Sequence, residues 1–201
     1  LVTGATHGLG MAMAKGLGDA GAELVINGHS SQERIDNAVA ACAEAGLVAC
    51  GYRFDVTQEK DVESAIARIE EEVAPIDILV NNAGIIRRIP MLEMPLDEWE
   101  RVIRTDLTSA FVVSKAVVRR MIRRKGGKVI NICSMMSELG RDSVGAYAAA
   151  KGGLKMLTRS MATEWARHNV QVNGIGPGYF ATEQTAPIRV DGNPMNEFVI
   201  G

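Results

Sequence analysis

Cysteine and histidine are scarce, three of each in 201 residues, and neither is arranged to hold a metal. Cys42, Cys50 and Cys133 form no C-x-x-C pair, and His7, His29 and His168 lie in separate segments without H-x-x-x-H spacing, so no metal site is expected. An odd number of thiols suits a reducing compartment, and a cytoplasmic protein is expected. Cys133 reads as a buried strand-end thiol rather than a nucleophile. Excess charge is lacking too. Lys and Arg number 22 against 24 Asp and Glu, a formal net charge of −2, which excludes a bulk attraction to nucleic acid or to an anionic membrane surface. No run of 18 apolar residues is present and no signal-peptide pattern is visible, so no membrane partner is expected. Internal repeats and low-complexity tracts are also missing.

What is present is a regular alternation of strand and helix patterns. Hydrophobic residues make up 47% of the chain, enough for a single domain (1–201) built on buried parallel strands. Strands are expected near 1–3, 23–27, 49–54, 77–81, 127–133 and 170–175, and helices near 8–21, 31–46, 58–73, 97–124 and 144–168. Alternating βα units imply an α/β fold, a Rossmann-type doubly wound parallel sheet in a three-layer α/β/α sandwich. In such folds ligands bind beyond the carboxyl ends of the strands, and the motifs below all fall just after expected strands. The basic run Arg119, Arg120, Arg123, Arg124 and Lys125 reads as a solvated helix C-terminus, where cations suit the helix dipole.

The first motif is T-G-A-T-H-G-L-G at 3–10. Gly4, Gly8 and Gly10 fall between strand and helix, where glycine permits a tight turn and close approach of backbone to a phosphate. The helix N-terminus beyond offers unpaired N–H groups and a positive dipole end to a pyrophosphate. The spacing is G-x-x-x-G-x-G rather than G-x-G-x-x-G, so a glycine-rich connection without a ligand is the competing reading. After the second strand, Gly28-His29-Ser30-Ser31 contains no carboxylate. An acid there binds the adenosine ribose of NAD and repels the 2′-phosphate of NADP. Its absence favours NADP(H), with His29 and the hydroxyls of Ser30 and Ser31 as phosphate partners, and leaves NAD(H) possible.

The second motif is Y-x-x-x-K at Tyr147 and Lys151, with Ser134 thirteen residues before the tyrosine. Helix positions i and i+4 share a face, so the ammonium sits near the phenol. A free phenol titrates near ~10, and a fixed cation favours the phenolate. The Ser134 hydroxyl can hold a carbonyl or alcohol oxygen beside it. Together with Asp55-Val56, Asn81-Asn82-Ala83-Gly84 and Pro177-Gly178, these segments resemble the short-chain dehydrogenase/reductase family along essentially the whole chain. The stretches NNAGIIRRIPMLEM, INICSMMSELGRD and NGIGPGYFATEQTAP are similar to its gluconate 5-dehydrogenase branch.

That resemblance implies an oxidoreductase interconverting D-gluconate and 5-keto-D-gluconate, with hydride passing to or from NADP(H). Tyr147 would be the acid/base, Lys151 would hold the nicotinamide ribose, and Ser134 would bind the substrate oxygen. Cofactor binding would fall to Gly4, Thr6, His7, Gly8, Leu9, Gly10, Asp55, Val56, Asn82, Ala83, Gly84, Pro177, Gly178 and Thr182, with Asn81 supporting the central strand. At Asp106 the family usually has an asparagine that helps hold a relay water. A catalytic aspartate and a helix-capping aspartate are both open here. Arg87 and Arg88 follow the NNAG turn on an extended segment, where successive residues point opposite ways, so one of them is expected to face inward; the resemblance implies that it is Arg88, which would bind the substrate carboxylate. Glu138 and Arg141 are candidates for substrate hydroxyls. The resemblance further implies a homotetramer, and residues 183–198 read as a substrate lid. The chain opens in mid-strand and family members continue through a final strand, so both ends are expected to be truncated. Other substrates within the family, a 2-deoxy-gluconate oxidised at C3 or a 3-oxoacyl thioester, stay open. A non-catalytic cofactor-sensing protein on the same fold would be expected to lack the acid/base pair that this chain retains.

Overall fold

Strands and helices alternate in this computed structural model, which describes residues 1–190. The strands are β1 (Leu24–Gly28), β2 (Ala49–Arg53), β3 (Ile78–Asn81), β4 (Gly127–Ile132) and β5 (Val170–Ile175). β1 pairs with β2, β3 with β4, and β4 with β5, all parallel. The strand expected at 1–3 is reduced to Val2, which bridges Ile26 on one side and Val80 on the other. It is cut short because Gly4 turns the backbone into the left-handed region at φ +59. Its hydrogen bonds still join the two halves of the sheet. The Val2 N–H donates to Val25 O at 3.0 Å and the Thr3 N–H to Val80 O at 3.0 Å. The order across the sheet is therefore β2, β1, residues 1–3, β3, β4, β5. The direction of winding reverses beside residues 1–3, where a ligand crevice opens.

Right-handed crossovers put helices on both faces. On one side, α1 (Gly8–Asp19) and α2 (Gln32–Ala43) bury Ala14, Ala38 and Cys42 against Ile26, Val80 and Ile132. On the other, α3 (Glu59–Glu72), α5 (Ser109–Arg124) and α6 (Gly145–Trp165) bury Ile66, Val113, Met121 and Met161 against Leu79, Val129 and Val172. This is the expected three-layer arrangement. Ser31 starts α2 by accepting the Arg34 N–H on its hydroxyl, and Lys125 at φ 57 ends α5.

Two elements depart from the sequence reading. The helix expected over 97–124 is divided: α4 (Leu96–Ile103) runs into a π-helical turn, Arg104–Thr108, before α5 begins. There the Ser109 N–H reaches back five residues to Arg104 O. One inserted turn does not disturb apolar periodicity enough to be read from it. The basic run at the end of α5 is not merely solvated, because α3 carries acids facing it. Arg120 and Arg124 both pair with Glu70, at 3.2 and 2.9 Å, and Arg119 pairs with Glu63 at 3.3 Å. Of the expected lid, Glu183–Ile188 forms a 3₁₀ turn, and 191–198 lie outside the described residues. Among the described residues, no helix is long and apolar enough to cross a membrane, and no three His, Cys, Asp or Glu are grouped to hold a metal.

Candidate active site

At the carboxyl edge of the sheet, loops from both halves enclose a cavity of about 510 Å³. One end is the glycine loop. Gly4 and Gly8 adopt φ +59 and +58, a region that side chains disfavour. A β-carbon on Gly10 would lie 2.5 Å from both Gly4 O and the Asn82 side-chain amide. Asn82 closes the loop by donating from Nδ2 to Thr3 O at 2.9 Å and Gly4 O at 3.0 Å. Gly8, Leu9 and Gly10 open α1 against the cavity, and His7 lies beside them. No acid stands in the first turn of α1 and no side chain caps it, so the positive end of that helix is not neutralised from within. Thr182 lies opposite, its methyl 3.9 Å from where a Gly8 β-carbon would be. Asp55, Val56, Ala83, Gly84, Pro177 and Gly178 line the same space.

The adenosine-side candidates behave differently from one another. His29 lines the cavity, with Nε2 3.5 Å from the Asp55 carboxylate. Ser30 and Thr6 do not line it; the Thr6 hydroxyl turns to His7 Nδ1 at 3.1 Å. Asn81 is buried away from the cavity, in the sheet interior. Its amide donates to Ser114 Oγ and Asn131 Oδ1, each at 2.8 Å. Two of three supporting residues were missed. Thr3 Oγ1 accepts the Asn82 and Ala83 N–H groups, Asn27 Oδ1 accepts the Gly4 N–H, and Arg53 Nε donates to His29 O. Thr3 opens the T-G motif and was marked by it, whereas no local pattern marks Asn27 or Arg53, because each bonds to a segment distant in sequence.

At the other end, α6 presents Tyr147 and Lys151 to the cavity, and the turn after β4 presents Ser134. Lys151 is 4% exposed. Its Nζ donates to Ile132 O at 2.8 Å and lies 5.5 Å from the centre of the Tyr147 ring. Ser134 begins a short 3₁₀ turn, and its Oγ accepts the Met136 N–H at 3.1 Å. That leaves the hydroxyl proton to donate elsewhere. Ser137, also missed, accepts the Ser134 N–H and donates to Lys151 O at 2.9 Å, tying the serine turn to α6. The S-x-x-S spacing of a capping box was its sequence signal.

Asp106 sits in the π turn, 1% exposed, and caps no helix. Its Oδ1 accepts the Ile85 N–H at 2.7 Å, while Oδ2 lies 3.5 Å from Lys151 Nζ and makes no hydrogen bond. Burial pushes its carboxyl up to about 6, against the pull of the Lys151 ammonium.

The two arginines divide as expected. Arg87 turns away to Glu98 at 2.6 Å, and Arg88 lines the cavity with Arg141, whose Nη1 donates to the Tyr179 hydroxyl at 2.6 Å. Glu138 corrects the sequence reading. It does not line the cavity; its exposed carboxylate pairs with Lys155 on α6, one turn beyond Lys151.

Comparison with known proteins agrees with this geometry. Residues 1–192 match the short chain dehydrogenase family. The chain is 68% identical over 200 residues to a 2-dehydro-3-deoxy-D-gluconate 5-dehydrogenase of Formosa agariphila, covering 100% of this chain and 76% of that protein. It is 51% identical over 191 residues to the 5-keto-D-gluconate 5-reductase of Escherichia coli K12, covering 95% and 75%. A solved gluconate 5-dehydrogenase from Burkholderia cenocepacia, in complex with NADP and tartrate, superposes with a TM-score of 0.91 at 43% identity, covering 94% and 74%. A match along nearly the whole sequence, on a sheet wound in this order and with the tyrosine and lysine meeting at its edge, establishes that the chain belongs to the short chain dehydrogenase family.

Proposed function

We propose that this chain is an NADP(H)-dependent oxidoreductase that interconverts a hydroxyl and a ketone at C5 of a six-carbon sugar acid, with D-gluconate and 5-keto-D-gluconate as the pair. The observation that carries the reading is the convergence of Ser134, Tyr147, Lys151 and Arg88 on one cavity whose far end is the glycine loop. The loop fits a dinucleotide: its backbone is bare where a β-carbon would intrude, and the uncapped α1 N-terminus suits a pyrophosphate. The missing carboxylate after β1 favours NADP, the cofactor in the Burkholderia structure.

A bound nicotinamide supplies or accepts the hydride. The chain handles the proton and the geometry. Tyr147 takes the hydroxyl proton in oxidation and returns it to the ketone oxygen in reduction. The field of Lys151, fixed by Ile132 O, favours the phenolate. Ser134 donates its free hydroxyl proton to the reacting oxygen, and Arg88 takes the C1 carboxylate through paired hydrogen bonds.

A second reading, 2-dehydro-3-deoxy-D-gluconate as the substrate, is favoured by the 68% identical relative. Both compounds react at C5 and carry a C1 carboxylate, so they use the same residues and differ only at C2 and C3. The deciding measurement is absorbance of the reduced nicotinamide with each acid and each cofactor. Faster turnover of gluconate with NADP supports the first reading, and faster turnover of the 3-deoxy acid supports the second. Tyr147→Phe is expected to lower turnover by about 10²–10⁴-fold while cofactor binding persists. Retained activity in that variant would remove Tyr147 from the mechanism.

A further inference from the structure

Asp106 is a buried ionisable group for which proton transfer at Tyr147 has no direct use. Oδ1 is occupied by the Ile85 N–H. Oδ2 has no hydrogen bond and is held 3.5 Å from Lys151 Nζ, in a site where a β-carbon on Gly84 would lie only 2.7 Å away. The groups around it are few. The loop after β3 offers Gly84 and a backbone N–H, and α6 offers the Lys151 ammonium, which among the described residues is the charged group that acts on this carboxyl. Lys151 in turn faces Ile132 O from β4 and the Tyr147 ring on α6, and Tyr147 also feels the Arg88 guanidinium from the loop after β3.

We infer that Asp106 is a positioning residue that tunes the acid/base by charge: as a carboxylate 3.5 Å from the ammonium it offsets part of the pull of the Lys151 cation on the Tyr147 phenol. This rests on the proposed role of Tyr147. The argument is electrostatic. The phenolate is favoured by the positive potential it meets from Lys151 and from Arg88, and Asp106 acts on the lysine's share alone. An anion 3.5 Å from the ammonium cancels part of that potential. The carboxyl pushed up to about 6 is ionised at the alkaline pH where a phenol titrates, so the offset is present when it matters.

A stability signature follows from the same burial. The folded state binds the Asp106 proton more tightly than the unfolded chain, whose carboxyl titrates at 3.8. The stability from this group is full below about 4 and is lost as pH rises through about 6.

The test is Asp106→Asn, which keeps an acceptor for the Ile85 N–H and removes the charge. The pH profile of kcat/KM for alcohol oxidation should shift its rising limb downward by about one unit. In parallel, Tm should exceed that of the wild type above pH 6, and the gap should close toward pH 4. An unmoved limb, or one moved upward, overturns the inference. A purely structural aspartate would lower Tm at every pH and leave the limb in place. Tyr147→Phe is measured alongside. If it keeps its activity, the role of Tyr147 falls; if it is inactive while the Asp106→Asn limb stands still, only the present inference falls. Asp106→Ser, small and neutral, serves if the amide variant fails to fold. Failure of both to fold would show a carboxylate that the fold requires, contrary to an anion that weakens it.

Discussion

Arg88 and Arg87 are neighbours in sequence and serve opposite ends. Arg87 gives its charge to Glu98, while Arg88 faces the cavity, where desolvation and the Arg141 guanidinium both press its affinity for a proton downward. An incoming carboxylate offsets both effects. Arg88→Leu is therefore expected to raise KM for the sugar acid about 10- to 100-fold, the worth of a charged hydrogen-bonded pair, with a smaller change in kcat. Arg87→Leu should leave KM within a few-fold. Steady-state kinetics on both variants checks this, and an unchanged KM in Arg88→Leu would put the carboxylate elsewhere. The alternation of side chains on extended backbone made it legible that one of the two faces inward, and the family resemblance pointed to Arg88. Glu138 was not legible, since its direction depends on Lys155 across the gap between two elements.

At the scale of the element, the glycine loop is the feature most constrained by space. A β-carbon at Gly10 meets Gly4 O at 2.5 Å and Ala5 Cα at 2.9 Å, and neither backbone atom can swing aside as a side chain can. Gly10→Ala should cost about 1–3 kcal/mol of stability and weaken NADPH binding at least tenfold. Denaturant unfolding and a fluorescence titration of bound NADPH read the two effects. An unaltered affinity would mean that this loop does not hold the pyrophosphate. The π turn at Arg104–Thr108 makes the opposite point. Its sequence, RTDLT, continues a helical pattern, and only the tertiary structure shows that the ladder slips there, where Leu107 meets Gly153 and Asp106 meets Gly84.

For the whole molecule, the sheet centre is held by polar side chains as well as by its apolar layers. Asn131, 0% exposed, accepts from Asn81 and donates to Thr158 Oγ1 at 2.9 Å, linking β3, β4 and α6 directly beneath the catalytic end. Asn131→Ala leaves both partners short of a bond in a dry site. A loss on the order of 2 kcal/mol is expected, seen as a lower urea midpoint with an unchanged slope. A loss under about 0.5 kcal/mol would show that water or rearrangement replaces the amide.

Local chemistry in the sequence determined the alternation of strands and helices, the doubly wound sheet, the glycine turn and the tyrosine–lysine face of α6. Each depends on periodicity or on glycine, which act over a few residues. The tertiary structure decided that Glu138 turns to Lys155, that Ser137 ties the serine turn to α6, and that Asp106 meets Lys151. Those outcomes depend on contacts between separate elements, and on whether burial leaves a charge a partner, which no local pattern records.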